Sequence, residues 1–104
     1  MQNCQNQQNE AVLISFEWDP EKARANVRKH GVTFEEARSC FYDPRQIAFY
    51  DPDHSEDEER ELLIAHSNQG RVLLVSYILR TEVVRIISAR KATKAEEVRY
   101  AQGI

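Results

Sequence analysis

The chain has 104 residues, of which 41% are hydrophobic and 30% are charged, and its formal net charge at pH 7 is −3. This length allows one domain with one core, the composition is that of an ordinary globular protein, and the net charge gives no indication of nucleic-acid binding. Residues 43–61 nevertheless contain eight acidic residues and two arginines (net −6), and residues 71–99 contain seven basic and three acidic residues (net +4). Such asymmetry is typical of a basic working surface beside an acidic flank, and equally of two unlike solvated faces.

The cysteines and the apolar segments bear on the compartment. Only Cys4 and Cys40 are present, and residues 1–11 lack the apolar centre of a signal peptide. No apolar run approaches the roughly 20 residues of a membrane span. We therefore expect reduced thiols and a cytoplasmic protein. The spacing of cysteines and histidines contains no zinc signature, and the sequence predicts no cofactor.

Local signals place a first strand and a first helix. Residues 1–11 are rich in Asn and Gln and are predicted to be a disordered tail, so that a single domain covers residues 12–104. The run from Val12 to Trp18 predicts a strand. Asp19-Pro20 supplies the N-cap and the first residue of a helix, which is predicted to end at Gly31.

Two further helix starts share the spacing of a capping box, in which a hydroxyl and a glutamate three residues later satisfy backbone donors reciprocally. The first, Thr33 to Glu36, predicts a short helix that ends near Tyr42. The second, Thr93 to Glu96, predicts a helix that runs to about Gln102.

Four strands are predicted between the second and third helices, at residues 46–50, 60–67, 71–79 and 82–91. Asn68-Gln69-Gly70 has the length and composition of a hairpin turn. The last strand has a β-branched run with apolar groups on both faces, which is typical of an interior strand. The predicted order is β-α-α-β-β-β-β-α, with a mainly antiparallel sheet packed against helices, and this defines an α+β fold.

The last strand also carries positive charge toward its end. Arg85, Ser88, Arg90 and Lys91 lie on it, and it leads directly into the helix start at Thr93. A rigid interior strand that delivers cations to its end is a suitable place to hold a phosphate. A purely structural strand would not need so many charges, and this contrast is the first indication of function.

A series of short motifs covers roughly residues 15–101, nearly the whole predicted domain. In chain order they are Phe16-Glu17-Trp18-Asp19-Pro20, Lys22, Asn26, Lys29-His30-Gly31-Val32-Thr33-Phe34, His54-Ser55, Glu59-Arg60, Gly70-Arg71-Val72-Leu73, Arg85-Ile86-Ile87-Ser88-Ala89-Arg90-Lys91-Ala92, Glu96-Glu97 and Tyr100. Their order and spacing resemble those of the BrnT family, whose members are ribonuclease toxins of bacterial type II toxin–antitoxin systems with a RelE-like fold.

The resemblance implies a RelE-like domain that acts as a metal-independent endoribonuclease, cleaves RNA and inhibits translation and growth. It also implies a BrnA-type antitoxin as partner, which neutralises the toxin and brings the DNA-binding element of an autoregulatory, higher-order complex. The toxin itself would contact DNA only indirectly and would not contact membranes.

Metal-independent RNA cleavage uses the ribose 2′-OH as the nucleophile against the adjacent phosphate. It requires a base near the 2′-OH, cations on the phosphorane-like transition state and a proton donor for the leaving oxygen. Arginine suits the second task, because its planar fork is always charged and can bind two phosphate oxygens. Arg90 is the first candidate, Ser88 lies two residues earlier on the same strand face, and Arg60 could add positive potential from a neighbouring strand. The plainer interpretation of these arginines is that they are solvated or ion-paired, and that of Ser88 is that it is a hydrogen-bonded strand residue.

The candidates for proton transfer also have structural alternatives. His30 is the natural acid–base candidate because histidine titrates near neutral pH, but the last turn of its helix equally suits a histidine that caps the helix C-terminus. His54, in the acidic loop, is the alternative proton carrier. Tyr100 could stack on a base or donate a proton, or it could pin the last helix to the sheet.

Four more cations are predicted to contact RNA or phosphate: Lys29, Arg71, Arg85 and Lys91. Each could instead be a solvated or ion-paired surface residue. The sequence does not establish the strand register that decides whether Arg60 and Arg71 reach the same face as Arg90.

Two other functions remain open at this point. A non-catalytic module that only binds RNA or protein is consistent with the low net charge and with the lack of a complete acid–base set. A metal nuclease would use the carboxylates of Asp51, Asp53, Asp57 and Glu59. These acids lack a recognised ligand spacing, and a charged loop is the commoner explanation.

Overall fold

The structure, a computed structural model, describes residues 14–51, 53 and 59–103. The predicted tail at residues 1–11, the first two residues of the predicted first strand, His54 and Asp57 lie outside these residues. The predictions made for them therefore stay predictions.

Five strands form one sheet in the order β1-β5-β4-β3-β2, in which β1 runs parallel to β5 and the other neighbours are antiparallel. The strands are β1 (Ser15–Glu17), β2 (Ile47–Tyr50), β3 (Arg60–His66), β4 (Val72–Arg80) and β5 (Val83–Lys91). The predicted element order, the interior position of β5 and the α+β class are confirmed.

Three α-helices accompany the sheet: α1 (Pro20–His30), α2 (Phe34–Ser39) and α3 (Lys94–Gln102). A 3₁₀ turn at Cys40–Tyr42 follows α2 directly, and together the two occupy the predicted second helix. Among the described residues, no helix is long and apolar enough to cross a membrane.

Helix α1 begins and ends where the sequence places it. The Asp19 carboxylate accepts the N–H of Glu21 at 2.8 Å, and Pro20 is the first helical residue. Gly31 has a φ of +70°, and its N–H donates to the carbonyl of Val27 at 2.8 Å. Only glycine adopts this left-handed conformation without steric cost, so the chain leaves the helix immediately after residue 30.

The two predicted capping boxes have different outcomes. In α3 both halves form, because Thr93 accepts the N–H of Glu96 and the Glu96 carboxylate accepts the N–H of Thr93 at 2.8 Å. In α2 the Thr33 hydroxyl accepts the N–H of Glu36 at 3.0 Å, but the Glu36 carboxylate turns inward and binds Arg71. The second half of that box is missing because the buried carboxylate of Glu36 is paired with Arg71 instead.

The hydrophobic core lies between one face of the sheet and the segment that contains α2. Its buried side chains are Val32, Phe34, Ala37 and Cys40 from that segment, and Leu63, Ala65, Leu73, Val75, Tyr77, Val84, Ile86 and Ala89 from the strands. Because side chains alternate along a strand, the intervening strand residues face the opposite side of the sheet. That opposite face carries the cleft described below.

Strand β5 contains an irregularity in its pairing with β4. Ser76 pairs with Ser88, but the next residue of β4, Tyr77, pairs with Ile86. Ile87 is therefore an extra residue on β5, which makes this point a β-bulge.

The bulge changes which positions of β5 face the core. Val84 is buried before it and Ala89 after it, so buried positions switch from even to odd numbers. Arg85 consequently lies on the same face as Ser88 and Arg90. In a regular strand it would face the opposite side.

Helix α1 is joined to β5 by the buried amide of Asn26. Among the described residues, strand β1 pairs with residues 83–85 of β5, and Asn26 occupies the next part of that edge. Its Nδ2 donates to the carbonyls of Ala89 at 2.8 Å and Val32 at 2.9 Å, and its Oδ1 accepts the N–H of Ala89 at 3.1 Å. The amide thus satisfies both backbone groups of Ala89, as a neighbouring strand would.

We expect Asn26→Ala to lower the free energy of unfolding by roughly 3 kcal/mol, because it leaves three buried backbone groups without a partner. Urea denaturation followed by circular dichroism measures the change. Asn68→Ala is the matched control, since Asn68 is exposed in the hairpin turn, and we expect a change within about 0.5 kcal/mol. Equal urea midpoints for the two variants would contradict this role of Asn26.

Candidate active site

A cleft of about 390 Å³ opens on the sheet face opposite the core. The residues that line it are His30, Asp51, Asp53, Arg60, Leu62, Leu74, Ser76, Ser88 and Arg90. Four of the five predicted catalytic residues, His30, Arg60, Ser88 and Arg90, therefore lie in one cleft. They come from α1, β3 and β5, which are far apart in the chain.

Strand register explains how the floor of the cleft is built. Ser76 pairs with Leu62 on one side and with Ser88 on the other, so two serines lie next to each other on the floor. The row of Arg60 lies on one side of this serine row, and the row of Arg90 lies on the other. The two cations therefore flank a pair of hydroxyl groups, an arrangement that suits an anionic ligand.

Arg90 is held by a carboxylate while it lines the cleft. Its Nη1 and Nη2 donate to the two carboxylate oxygens of Glu96 at 2.9 and 3.0 Å, and Nη1 also donates to the Lys91 carbonyl at 3.1 Å. The hydrogen bonds from Arg90, which outweigh burial, hold the pKa of Glu96 below its ordinary value of 4.5. Arg90 thus lines the cleft and also forms an ion pair, which was the plainer interpretation of this arginine.

His30 forms part of the cleft wall at the last position of α1. It is half-buried and follows Asn26 by four residues, which places both side chains on the same side of the helix. The backbone of Gly31 closes the helix end through Val27. His30 is therefore carried to the cleft by the helix that Asn26 joins to β5.

Arg60 lines the cleft from the first position of β3. Its Nε is buried and has no hydrogen-bond partner within the part of the chain that the structure describes. A buried donor without a partner is costly, and a bound anion would satisfy it. The carboxylates of Asp51 and Asp53 line the same cleft.

Tyr100 is not among the residues that line the cleft. Its hydroxyl donates to Asp43 Oδ2 at 2.6 Å, and its ring stacks on His66 with centroids 6.4 Å apart. Burial and the hydrogen bond to Asp43 raise the pKa of Tyr100 to about 12. These contacts agree with the structural alternative, in which Tyr100 holds α3 against the sheet.

The four predicted RNA contacts are also not among the cleft-lining residues. Arg71 binds the Glu36 carboxylate at 2.7 and 2.8 Å and the Gly31 carbonyl at 3.0 Å. Arg85 lies on the cleft face of the sheet but donates to Glu17 at 3.1 Å. The side chains of Lys29 and Lys91 are exposed.

Several cleft residues were not singled out in the sequence. Ser76 is a lone hydroxyl inside an apolar strand, and that contrast was the available signal for it. Leu62 and Leu74 gave no signal. Asp51 and Asp53 were considered only as metal ligands, and within the described residues no group of three or more His, Cys, Asp or Glu side chains is placed to hold a metal ion.

A protein-family model described as "Ribonuclease toxin, BrnT, of type II toxin-antitoxin system" matches residues 18–96. The chain belongs to the BrnT family. The matched range includes His30, Arg60, Ser88 and Arg90. As a BrnT ribonuclease toxin the protein is an RNA-cleaving enzyme, and its membership of a type II system implies an RNA substrate and a cognate antitoxin.

The fold of this BrnT protein is similar to that of a solved relative. The 1.1 Å crystal structure of the Brucella abortus ribonuclease toxin, BrnT, aligns with a TM-score of 0.58 and 21% sequence identity, and the alignment covers 79% of this chain and 100% of that one. No curated protein matches the sequence.

The ion pair between the buried Glu36 and the half-buried Arg71 predicts a loss of stability in acid. Hydrogen bonds from Arg71 hold the pKa of Glu36 below 4.5, so the stabilisation is fully present above that value and is lost as the pH falls through the folded-state pKa. We expect Glu36→Gln to lower the free energy of unfolding at pH 7 by roughly 2 to 3 kcal/mol. We also expect it to flatten the decline seen in acid.

Urea denaturation at a series of pH values between about 7 and 3 measures both effects. Glu35→Gln is the matched control, because Glu35 is exposed on the same helix and its variant is expected to keep the wild-type pH profile. An unchanged acid profile in Glu36→Gln would contradict the assignment.

We expect Tyr100→Phe to retain cleavage within about threefold of wild type, since the hydroxyl contacts Asp43 rather than the cleft. Its free energy of unfolding is expected to fall by about 1 kcal/mol through loss of this hydrogen bond. RNA cleavage rates and urea midpoints of the two proteins test this. A hundredfold loss of cleavage at unchanged stability would instead support the catalytic role predicted for Tyr100 from the sequence.

Proposed function

We propose that the cleft cleaves RNA without a metal ion, by attack of a ribose 2′-OH on the adjacent phosphate. The observation that carries the proposal is the convergence of His30, Arg60, Ser88 and Arg90 on one cleft. These side chains supply the two kinds of group that the reaction requires, a proton carrier and cations beside the phosphate. The family membership supports ribonuclease activity independently.

In this mechanism the arginines act on the phosphate. Negative charge accumulates on the non-bridging oxygens as the phosphorane forms, and a guanidinium placed against them stabilises the transition state more than the ground state. Arg90 is assigned to the scissile phosphate. Arg60 is assigned to the same phosphate or to the neighbouring phosphate of the RNA, because its buried Nε has no hydrogen-bond partner among the described residues.

His30 is assigned to proton transfer. Imidazole accepts a proton near neutral pH, so it takes the proton of the 2′-OH as the bond from O2′ to phosphorus forms. The bond from phosphorus to O5′ breaks, and the leaving oxygen is protonated by water or by the imidazolium. The products carry a 2′,3′-cyclic phosphate and a 5′-OH. Ser88 and Ser76 hydrogen-bond the phosphate oxygens in this arrangement.

We further propose that a BrnA-type antitoxin neutralises this protein in the cytoplasm. In this proposal it forms a higher-order complex that reaches DNA only through the antitoxin. The support is the membership of a type II toxin family. Large apolar side chains that could anchor such a partner are exposed in the described part of the chain: Ile14, Val27, Tyr42, Tyr50, Leu79 and Val98.

RNA cleavage by the purified protein in excess chelator tests the catalytic proposal. We expect cleavage to persist and to leave 2′,3′-cyclic phosphate ends. We expect Arg90→Ala to lower kcat/KM at least about 100-fold, the scale of losing one preorganised transition-state donor. Arg24→Ala is the matched control, because the Arg24 side chain is 62% exposed on α1 and pairs with Glu21 on the surface.

Each contrary result has a distinct meaning. Wild-type cleavage by a folded Arg90→Ala variant would remove Arg90 from the site. Cleavage that chelator abolishes would favour a metal nuclease that uses the carboxylates of the cleft. Absence of cleavage by folded wild-type protein, with or without ribosomes, would favour the non-catalytic binding module.

A further inference from the structure

Glu96 is fixed in place before it meets Arg90. It is the third residue of α3, and its carboxylate Oε1 accepts the N–H of Thr93 at 2.8 Å as half of a complete capping box. The Glu96 N–H is held in turn by the Thr93 hydroxyl at 3.2 Å. Its side chain is only 23% exposed. The orientation of this carboxylate is therefore set by the start of the helix.

Glu96 binds the guanidinium of Arg90 along the edge formed by Nη1 and Nη2. The guanidinium has five N–H donors arranged as two forks, an end fork formed by Nη1 and Nη2 and a side fork formed by Nε and Nη2. Glu96 takes the end fork, and the Lys91 carbonyl takes the remaining Nη1 donor. Within the part of the chain that the structure describes, no hydrogen bond occupies the side fork, so one N–H from Nε and one from Nη2 are left for two oxygens of a phosphate.

The guanidinium of Arg71 binds its carboxylate through the side fork rather than the end fork. Glu36 takes its side fork through Nε and Nη2, and the Gly31 carbonyl takes the other Nη2 donor. Arg71 is thus committed to protein atoms on the side that Arg90 keeps available. The two ion pairs have similar distances but leave different donors for a ligand.

We propose that Glu96 is a positioning residue for the ribonuclease reaction, which holds Arg90 by its end fork so that its side fork meets the scissile phosphate. The inference rests on the function proposed above for Arg90. Glu96 does not touch the RNA. It acts by fixing the angle of the guanidinium plane, and small errors in such an angle cost large factors in rate.

The positioning role and two simpler roles of Glu96 predict different effects of removing the carboxylate on RNA affinity, kcat and stability. If the carboxylate only opposed RNA by its negative charge, its removal would strengthen binding and speed cleavage together. If it only capped α3, its removal would lower stability and cleavage together. A positioning carboxylate gives a third pattern, in which RNA binding is kept or strengthened while kcat falls.

Glu96→Gln separates these roles, because glutamine also completes a capping box but offers only one acceptor oxygen to the guanidinium. Affinity is measured by fluorescence anisotropy with a 2′-O-methyl RNA oligonucleotide, whose nucleophile is blocked. The value of kcat is measured with the unmodified oligonucleotide at saturation. Thermal unfolding is followed for every variant, and Thr93→Ala, which weakens the cap without removing an Arg90 contact, is the matched control.

We expect the affinity of the Glu96→Gln variant for the methylated RNA to equal that of the wild type or to exceed it by up to about threefold. We expect its kcat to fall about 10- to 100-fold. Thr93→Ala is expected to lower kcat less than Glu96→Gln does, because the backbone N–H of residue 93 still binds the Glu96 carboxylate. In an Arg90→Lys background, which has no planar fork to orient, Glu96→Gln is expected to cause no further loss.

Three results would overturn the proposal while leaving the function of Arg90 intact. They are a wild-type kcat in Glu96→Gln, a joint rise of affinity and kcat, and an equal loss of kcat and stability in Glu96→Gln and Thr93→Ala. Wild-type cleavage by Arg90→Lys would instead overturn the role of the Arg90 fork, and the positioning role of Glu96 with it. Measuring that single variant first distinguishes the two failures.

Discussion

The buried amide of Asn26 is the interaction on which the arrangement of the cleft depends. It bonds to both backbone groups of Ala89 and to the carbonyl of Val32, so it joins α1, the turn after α1 and β5 at one point. Leaving such groups unpaired costs more than forming each bond gains, and the junction therefore admits few alternatives. His30 on one wall and Arg90 on the floor are held in relation to each other by a side chain that does not line the cleft.

Acidic side chains orient the basic ones in this protein, and this gives the net charge of −3 a different meaning. The carboxylate of Glu36 accepts hydrogen bonds from Arg71, and that of Glu17 accepts one from Arg85 at 3.1 Å. The Glu96 carboxylate binds the end fork of Arg90. The negative net charge of the chain therefore does not indicate how much positive charge the cleft presents to a ligand. The donors left over after these pairings determine what the cleft can bind.

The sequence predicted those parts of the fold that depend on neighbouring residues. Asp19, Pro20 and Gly31 define both ends of α1 because caps act within a few residues. Ser88 and Arg90 share a face because they are two residues apart on one strand.

Contacts between distant residues were not predictable in this way. Arg71 meets Glu36 across 35 positions, and Tyr100 meets Asp43 across 57. Both side chains carry the chemistry that suggested a catalytic or RNA-binding role. Only the register and the packing of α3 show that protein atoms already occupy them. The same reason hid Ser76, whose place beside Ser88 depends on the pairing of β4 with β5.

The arrangement of the site depends on the β-bulge at Ile87, an irregularity in the sheet. An idealised β5 of the same length, with a regular ladder, would aim either Arg85 or the pair of Ser88 and Arg90 into the layer of helices. A designer who regularised this strand to improve its hydrogen bonding would preserve the architecture and erase the chemistry. Transplanting the cleft onto another scaffold would accordingly require copying the defect together with the side chains.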